Sequence, residues 1–422
     1  MSSPEENVDV LVIGAGPAGS LASATLARSG RRVLCLERET FPRFVIGESL
    51  LPRCNQLLAD AGLLEAVEAR GYQVKPGATF WRDGRSARFA FANGQAGTRP
   101  ASYQVPRGDF DQTLATRAAE LGADVRFRHE VEAVRFDGQG AAVTARALTT
   151  GEQLTVAAQF VLDCSGYGRV LPRLLGVDRP AAFAPRLAVF THVENDARPA
   201  GPEGGDIWVC VHPSGCWVWI IPFSNGRTSV GVVGAPDVIE AAGPTDEARL
   251  FNLLRADPTA SVRLARATKV MEPKRIAGYA TAVEKLYGAR WALTGNAGTF
   301  LDPVFSSGVT LALESSSHAA RLIDRQLGGE RVDWEAGYAQ VMNRATSVFA
   351  AFVRGWYSGE LLDVLFAEDP PEGVKSAITS VLAGYVLDPK NSLVRDPERR
   401  LRTLHDSLGR AGRPAVAALQ EV

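Results

Sequence analysis

A chain of 422 residues outgrows a single hydrophobic core, which stops growing at roughly 250 to 300 residues, so more than one packed unit is expected. Apolar residues at 46% and charged residues at 22% exclude a disordered chain, and 46 basic against 47 acidic side chains exclude a global field that would gather nucleic acid or an anionic membrane. Five scattered cysteines without C-x-x-C spacing and five histidines without an H-E-x-x-H cluster argue against a disulfide scaffold and against metal catalysis.

No apolar run reaches the roughly 18 to 20 residues that span a bilayer, and Met1 to Asp9 is polar and acidic, unlike a secretory signal. A cytoplasmic protein with reduced thiols and no transmembrane segment is expected. In chain order, Val8 to Ile13 is a short β-branched run, followed by Gly-Ala-Gly-Pro-Ala-Gly at 14–19 and an Ala- and Leu-rich helical stretch from Ser20 to Ser29. Gly30 ends that helix, and Arg32 to Glu37 resumes an apolar strand with an acid at its tip, completing a βαβ unit of about 30 residues. Gln56 to Gly71 predicts an amphipathic helix with Leu57, Leu58, Ala61, Leu64 and Val67 on one face, and Phe110 to Leu121 predicts another. Between them, Gly77 to Phe91 alternates as a half-buried strand pair would, and Leu187 to Val233 is strand-rich with Gly and Pro turns. The two blocks are expected to pair into one antiparallel sheet.

Phe160 to Arg169 and Trp291 to Gly308 are each a strand running into a glycine turn, and the second leads into a helix from Val309 to Leu322. From Trp334 onward no glycine-rich motif occurs, which predicts a helical cap. The fold class is therefore α/β. A discontinuous Rossmann-type nucleotide domain is expected over 1–76, 104–180 and 275–330, an antiparallel-sheet substrate domain over 77–103 and 181–274, and a C-terminal helical region over 331–422.

The first glycines have separable tasks. Gly14 makes the strand-to-helix turn, Gly16 lets the main chain approach a pyrophosphate, and Gly19 lets helix and strand pack closely. Pro17 and Ala18 open the helix whose free N–H groups and dipole favour that anion. Glu37, beside Arg38 at the second strand's tip, is placed to accept hydrogen bonds from ribose hydroxyls. A bare G-x-G-x-x-G also occurs as a ligand-free turn, but strand, helix and Glu37 in register point to a dinucleotide, either NAD or FAD.

With the two later glycine turns, the set resembles the FAD-dependent monooxygenase fold typified by para-hydroxybenzoate hydroxylase, over roughly residues 8–330. The resemblance implies noncovalent FAD, with Asp163 to Gly166 beside the dinucleotide. It also implies a Gly-Asp turn on the ribityl chain and diphosphate, where this chain carries Asn296 and so a neutral contact. Arg107 resembles the arginine that opens a helix beside the flavin, the structural alternative being an ion pair to Asp109 or Asp111; Arg43 and Ser49 fall along the cofactor channel.

Trp217-Val-Trp219-Ile-Ile-Pro222 fits W-x-W-x-I-P, and Phe300, Pro303, Ser306 and Gly308 fit F-x-x-P-x-x-S-x-G, so the chain resembles the flavin-dependent halogenases. Lys75 falls where members acting on phenols and pyrroles carry their lysine, and Ile46-Gly-Glu-Ser-Leu-Leu-Pro52 resembles that phenolic or carrier-tethered branch. The resemblance implies that reduced FAD, O₂ and chloride or bromide yield hypohalous acid. Lys75 would hold it or form a haloamine, because burial lowers an amine's pKa. Trp217 and Trp219 would wall the flavin pocket, and Ser306 to Val309 would offer backbone N–H groups to halide. Asp302 resembles a position linked covalently to flavin in one subgroup.

Plainer roles stand beside these: a solvated charge for Lys75, and a core cluster for two tryptophans that share a strand face. No second G-x-G-x-x-G follows a strand, so a separate flavin reductase is the expected partner, with a small electron-rich aromatic, free or carrier-tethered, as substrate. The competing functions are a dehydrogenase, hydroxylase or saturase on the same scaffold, and a flavin-binding protein without turnover.

Overall fold

The computed structural model describes residues 6–411 apart from 182 and 369. Residues 1–5 of the expected polar, acidic start and the last eleven residues of the expected helical region lie outside these.

Strand β1 (Glu6–Ile13), helix α1 (Pro17–Arg28) and strand β2 (Val33–Glu37) form the βαβ unit. The helix starts three residues earlier than Ser20, because Pro17 at its first position carries a ready-made helical φ and lacks only an N–H that would be unpaired there. Strand order across this sheet is Tyr287–Gly288, Trp291–Leu293, Gln153–Asp163, β1, β2 and Asp124–Phe127. β1 pairs in parallel with Gln153–Asp163 and with β2, and Trp291–Leu293 lies parallel to Gln153–Asp163. Ile13 is in register with Asp163, and Asp163 with Leu293. Three strands therefore end side by side, and a ligand on such a sheet belongs beyond the carboxyl ends of its strands.

Gln56 to Gly71 is not one helix. Helices Pro52–Asp60 and Leu64–Glu68 are separated at Gly62, whose φ of +76° is the left-handed conformation that glycine enters most readily. Leu63 N–H donates to Leu58 O at 2.8 Å, a Schellman-type closure that satisfies the first helix and starts the second. The helices Arg107–Glu120 and Ser307–Leu327 each exceed the stretch read from apolar spacing.

The two strand-rich blocks do share a sheet, ordered Thr268–Lys269, Leu187–Glu194, Arg227–Gly234, Trp217–Pro222, Ile207–Val211, Gly77–Arg82 and Arg85–Ala90. It is not wholly antiparallel as expected, because Ile207–Val211 joins Gly77–Arg82 in parallel, with Ile207 opposite Ala78. Alternation assigns a strand's faces but leaves its neighbour and direction open. Helices Gln340–Ser358, Glu360–Leu365, Glu372–Leu382 and Pro397–Ala411 pack over this region. Phe80 from the sheet meets Trp356 and Phe305 at centroid distances of 5.8 and 6.4 Å, and Phe352 closes the cluster against Phe305. No helix among the described residues is long and apolar enough to cross a membrane, and all five cysteines are buried free thiols.

Candidate functional site

A cavity of about 520 Å³ opens beyond the aligned strand ends and reaches the inner face of the second sheet. Gly14, Gly16, Pro17, Ala18, Glu37 and Arg38 line its first part. Gly14 has φ +94°, and a Cβ there would lie 2.8 Å from Cys164 O, so the turn demands glycine sterically and conformationally. A Cβ on Gly19 would lie 1.8 Å from Gly14 O; this residue does not line the cavity and instead allows α1 to meet the turn. Gly16 caps α1 without a side-chain hydrogen bond and the first turn holds no acid, so no side chain of the helix start itself occupies its N–H groups. Glu37 accepts from Ala15 N–H at 2.9 Å and Glu39 N–H at 2.8 Å, which fixes its carboxylate at the rim with lone pairs remaining.

Arg43, Ser49, Arg107, Gly166 and Asn296 line the middle. Arg107 makes a bidentate pair with buried Asp111 at 2.8 and 3.0 Å and also donates to Ile46 O and Gly47 O. It thus has both the ion pair and the cavity position, and it fixes the Ile46–Ser49 segment. Asp163 does not line the cavity. It is fully buried and accepts from Ser165 and Leu171 N–H groups at 2.8 and 2.7 Å, holding the Gly166 turn in place from behind.

Trp217, Trp219, Ser306, Gly308 and Val309 line the far part. Trp219 donates to Ser229 Oγ at 3.1 Å and its ring fills the space over Gly231, where a Cβ would lie 2.3 Å from it. Trp217 donates to Tyr357 OH at 3.2 Å, and Tyr357 OH donates to Asp302 Oδ2 at 2.9 Å. Asp302 lies outside the main cavity, beside a smaller one of about 220 Å³, and burial pushes its carboxyl up to about 6. Ser306 adopts left-handed φ +56° and its N–H donates to Pro303 O at 3.0 Å, so that group is not free for an anion as expected; the free N–H groups are those of the following helical turn.

Lys75 is not the solvated loop charge of the plainer alternative. It ends the strand Gln73–Lys75 at 1% exposure, donates from Nζ to Leu50 O at 2.9 Å, and lies 5.5 Å from the centroid of Phe91. Burial brings its amine down to about 7. It does not line the flavin-sized cavity, but Glu48 and Ser49, immediately before Leu50, do. Glu48 is a site residue that sequence reading passed over. The available signal was a carboxylate inside the largely apolar Ile46–Pro52 run.

The site fits FAD on its own geometry: a glycine cradle at a helix start, an elongated cavity, and in its wall a buried hydroxyl, Ser49 Oγ, that has no hydrogen-bond partner. The family described as FAD binding domain matches residues 7–335. A 1H-pyrrole-2-carbonyl-[peptidyl-carrier protein] brominase of Pseudoalteromonas luteoviolacea is 30% identical, the alignment covering 83% of this chain and 85% of that one. The chain belongs to the FAD-binding-domain family, among the flavin-dependent halogenases.

The flavoprotein is also 28% identical to a 1H-pyrrole-2-carbonyl-[peptidyl-carrier protein] chlorinase of Pseudomonas fluorescens, with 94% of this chain and 93% of that one covered. A crystal structure described as a flavoprotein/dehydrogenase from Cytophaga hutchinsonii superposes with TM-score 0.94 at 43% identity, over 97% of this chain and all of that one. This halogenase-family enzyme is thus an FAD-dependent oxidoreductase, and halide is the co-substrate that its group uses. The expected fold class and cofactor are met.

Proposed function

We propose that the protein halogenates an electron-rich aromatic of the phenol or pyrrole type, free or tethered to a carrier protein. The observation that carries this reading is Lys75: a buried amine, lowered to about 7, hydrogen-bonded to the segment whose preceding residues wall the flavin cavity. When bound, reduced FAD supplies the two electrons that let oxygen oxidise chloride or bromide to hypohalous acid. The protein's own groups do the rest.

Gly14, Gly16, Pro17 and Ala18 hold the diphosphate, Glu37 and Arg38 the adenosine end, and Asn296 and Arg107 the middle of the cofactor, with Arg43 and Ser49 beside them. Trp217 and Trp219 fill one wall, exclude water and keep the organic substrate from the flavin. The helix start at Ser307 to Val309 presents N–H groups to halide. Neutral Lys75 exchanges a hydrogen bond with hypohalous acid, or takes the halogen on nitrogen as the O–halogen bond breaks and water leaves, and aims the halogen at the ring. Asp302 is bonded to Tyr357 and has a structural part here, consistent with noncovalent FAD. A separate reductase supplies reduced flavin, and five free cysteines suit a cytoplasmic setting.

The test is incubation of purified protein with reduced FAD, oxygen, bromide and a panel of phenols, pyrroles and indoles, including carrier-bound ones, read by mass spectrometry. A bromine isotope doublet in a product supports the reading. A second reading, halide-independent dehydrogenation, is favoured by the 43% identity to the Cytophaga flavoprotein/dehydrogenase. Its signature is a product two hydrogens lighter, formed with or without bromide, and no halogenated product across the panel.

A further inference from the structure

Behind the unpartnered Glu48 oxygen lies a second group. His192, on the strand Leu187–Glu194, places Nε2 2.8 Å from Glu48 Oε1. A proton can lie on either side of this contact, on Nε2 with Oε1 accepting or on Oε1 with Nε2 accepting. The carboxylate side chain is 1% exposed, whereas the imidazole is 11% exposed. Phe44 and Phe223 flank the ring at centroid distances of 5.8 and 5.3 Å and hold it in place, with the Lys274 amine on the far side of Phe44. The Glu48 backbone is equally fixed, since its carbonyl accepts from Val105 N–H at 2.7 Å. The pair therefore joins a partly exposed imidazole to a residue that lines the cavity, and the second carboxylate oxygen, Oε2, is buried with no partner among the described residues.

We propose that Glu48 and His192 form a proton relay between solvent and the flavin cavity. The chemistry requires one. When bound, reduced flavin would supply oxygen with two electrons and two protons. With halide, reduced flavin, oxygen, halide ion, the aromatic C–H compound and one solvent proton yield the aryl halide, oxidised flavin and two waters. One proton must enter the cavity in every such turnover. Glu48 passes its proton inward from Oε2 and regains one from His192, which is reprotonated from solvent. The inference rests on flavin occupying the cavity and not on halide being the substrate, because oxidation of reduced flavin by oxygen alone moves protons through the same site.

Glu48→Gln keeps shape and hydrogen bonding but cannot carry a proton, and His192→Gln keeps a donor toward Glu48 with the same loss. The holoprotein of each is reduced anaerobically and mixed with oxygen in H₂O and in D₂O, while FAD affinity is measured separately by quenching of apoprotein fluorescence. Expected are flavin reoxidation slowed by about 100-fold in both variants, a changed solvent isotope effect, affinity within about threefold, and recovery of a Glu48→Ala variant by added formate. Reoxidation within about twofold of the parent in both variants overturns the relay. So does a loss of affinity of about tenfold or more with an unchanged rate at saturating FAD, which makes Glu48 a cofactor-holding group. Slowed reoxidation without any halogenated product leaves the relay standing and removes only the halogenase reading.

Discussion

Lys75 Nζ and Leu50 O stand 2.9 Å apart, and the two residues before Leu50 face the flavin cavity. The segment Ile46–Leu51 is therefore a partition one chain thick, with the amine on one side and the flavin-sized cavity on the other. It is pinned along one edge, where Leu50 N–H donates to Tyr103 O and Val105 N–H to Glu48 O.

Replacing Lys75 by Met removes the amine at nearly constant shape. Halogen transfer should fall by about 100-fold or more, with FAD affinity unchanged within about threefold, because Lys75 does not line the flavin cavity. Product formation by mass spectrometry and FAD titration of the apoprotein check the two halves separately.

The same substitution has a signature in stability. The folded protein holds Lys75 at about 7 against an ordinary 10.5, so between those values the unfolded chain binds the extra proton and stability rises with pH. The slope from this one group approaches about 1.4 kcal/mol per pH unit and vanishes above the unfolded value. Urea unfolding at pH 7.5, 8.5 and 9.5 should give a smaller rise for Lys75→Met than for the parent; equal slopes exclude a neutral buried amine.

Asp302 works in the opposite sense. Its carboxyl sits at about 6 against 3.8, so the folded state holds the proton more tightly and this group's contribution, full below pH 3.8, is lost as pH rises through 6. Asp302→Asn should flatten stability between pH 4 and 6. Tyr357→Phe, which removes the hydrogen bond to the ionised form, should push the carboxyl higher still.

Gly16 and Gly19 separate binding from folding. Gly16 has φ −65° and its nearest obstacle to a Cβ is the Arg43 guanidinium at 3.5 Å, so Gly16→Ala should fold with little change in Tm while losing flavin. Gly19→Ala drives a methyl into Gly14 O and should destabilise by about 2 kcal/mol or more, whatever flavin is added. Thermal melts with and without FAD distinguish them.

The glycine corners were legible in the sequence because their causes are local: a φ above zero at Gly14 and a helix start at Gly16. The tryptophan wall was legible as a shared strand face. Burial of Lys75 was not, since it depends on what packs over a three-residue strand. The parallel joint between Gly77–Arg82 and Ile207–Val211 was hidden for a related reason, as neither strand encodes its partner. Glu48 and His192 are separated by 144 positions and meet only in the folded chain. Asp163 was assigned to the cofactor side because its neighbours are there, while its side chain turns inward to serve the backbone.

A partition only one chain thick also imposes reciprocity. If cofactor binding displaces the Leu50 carbonyl by even a few tenths of an ångström, the amine loses or gains its acceptor; protonating that amine must then alter cofactor affinity by the same factor. The tightness with which the yellow ligand is held thus becomes a gauge of the lysine's charge, readable without any turnover.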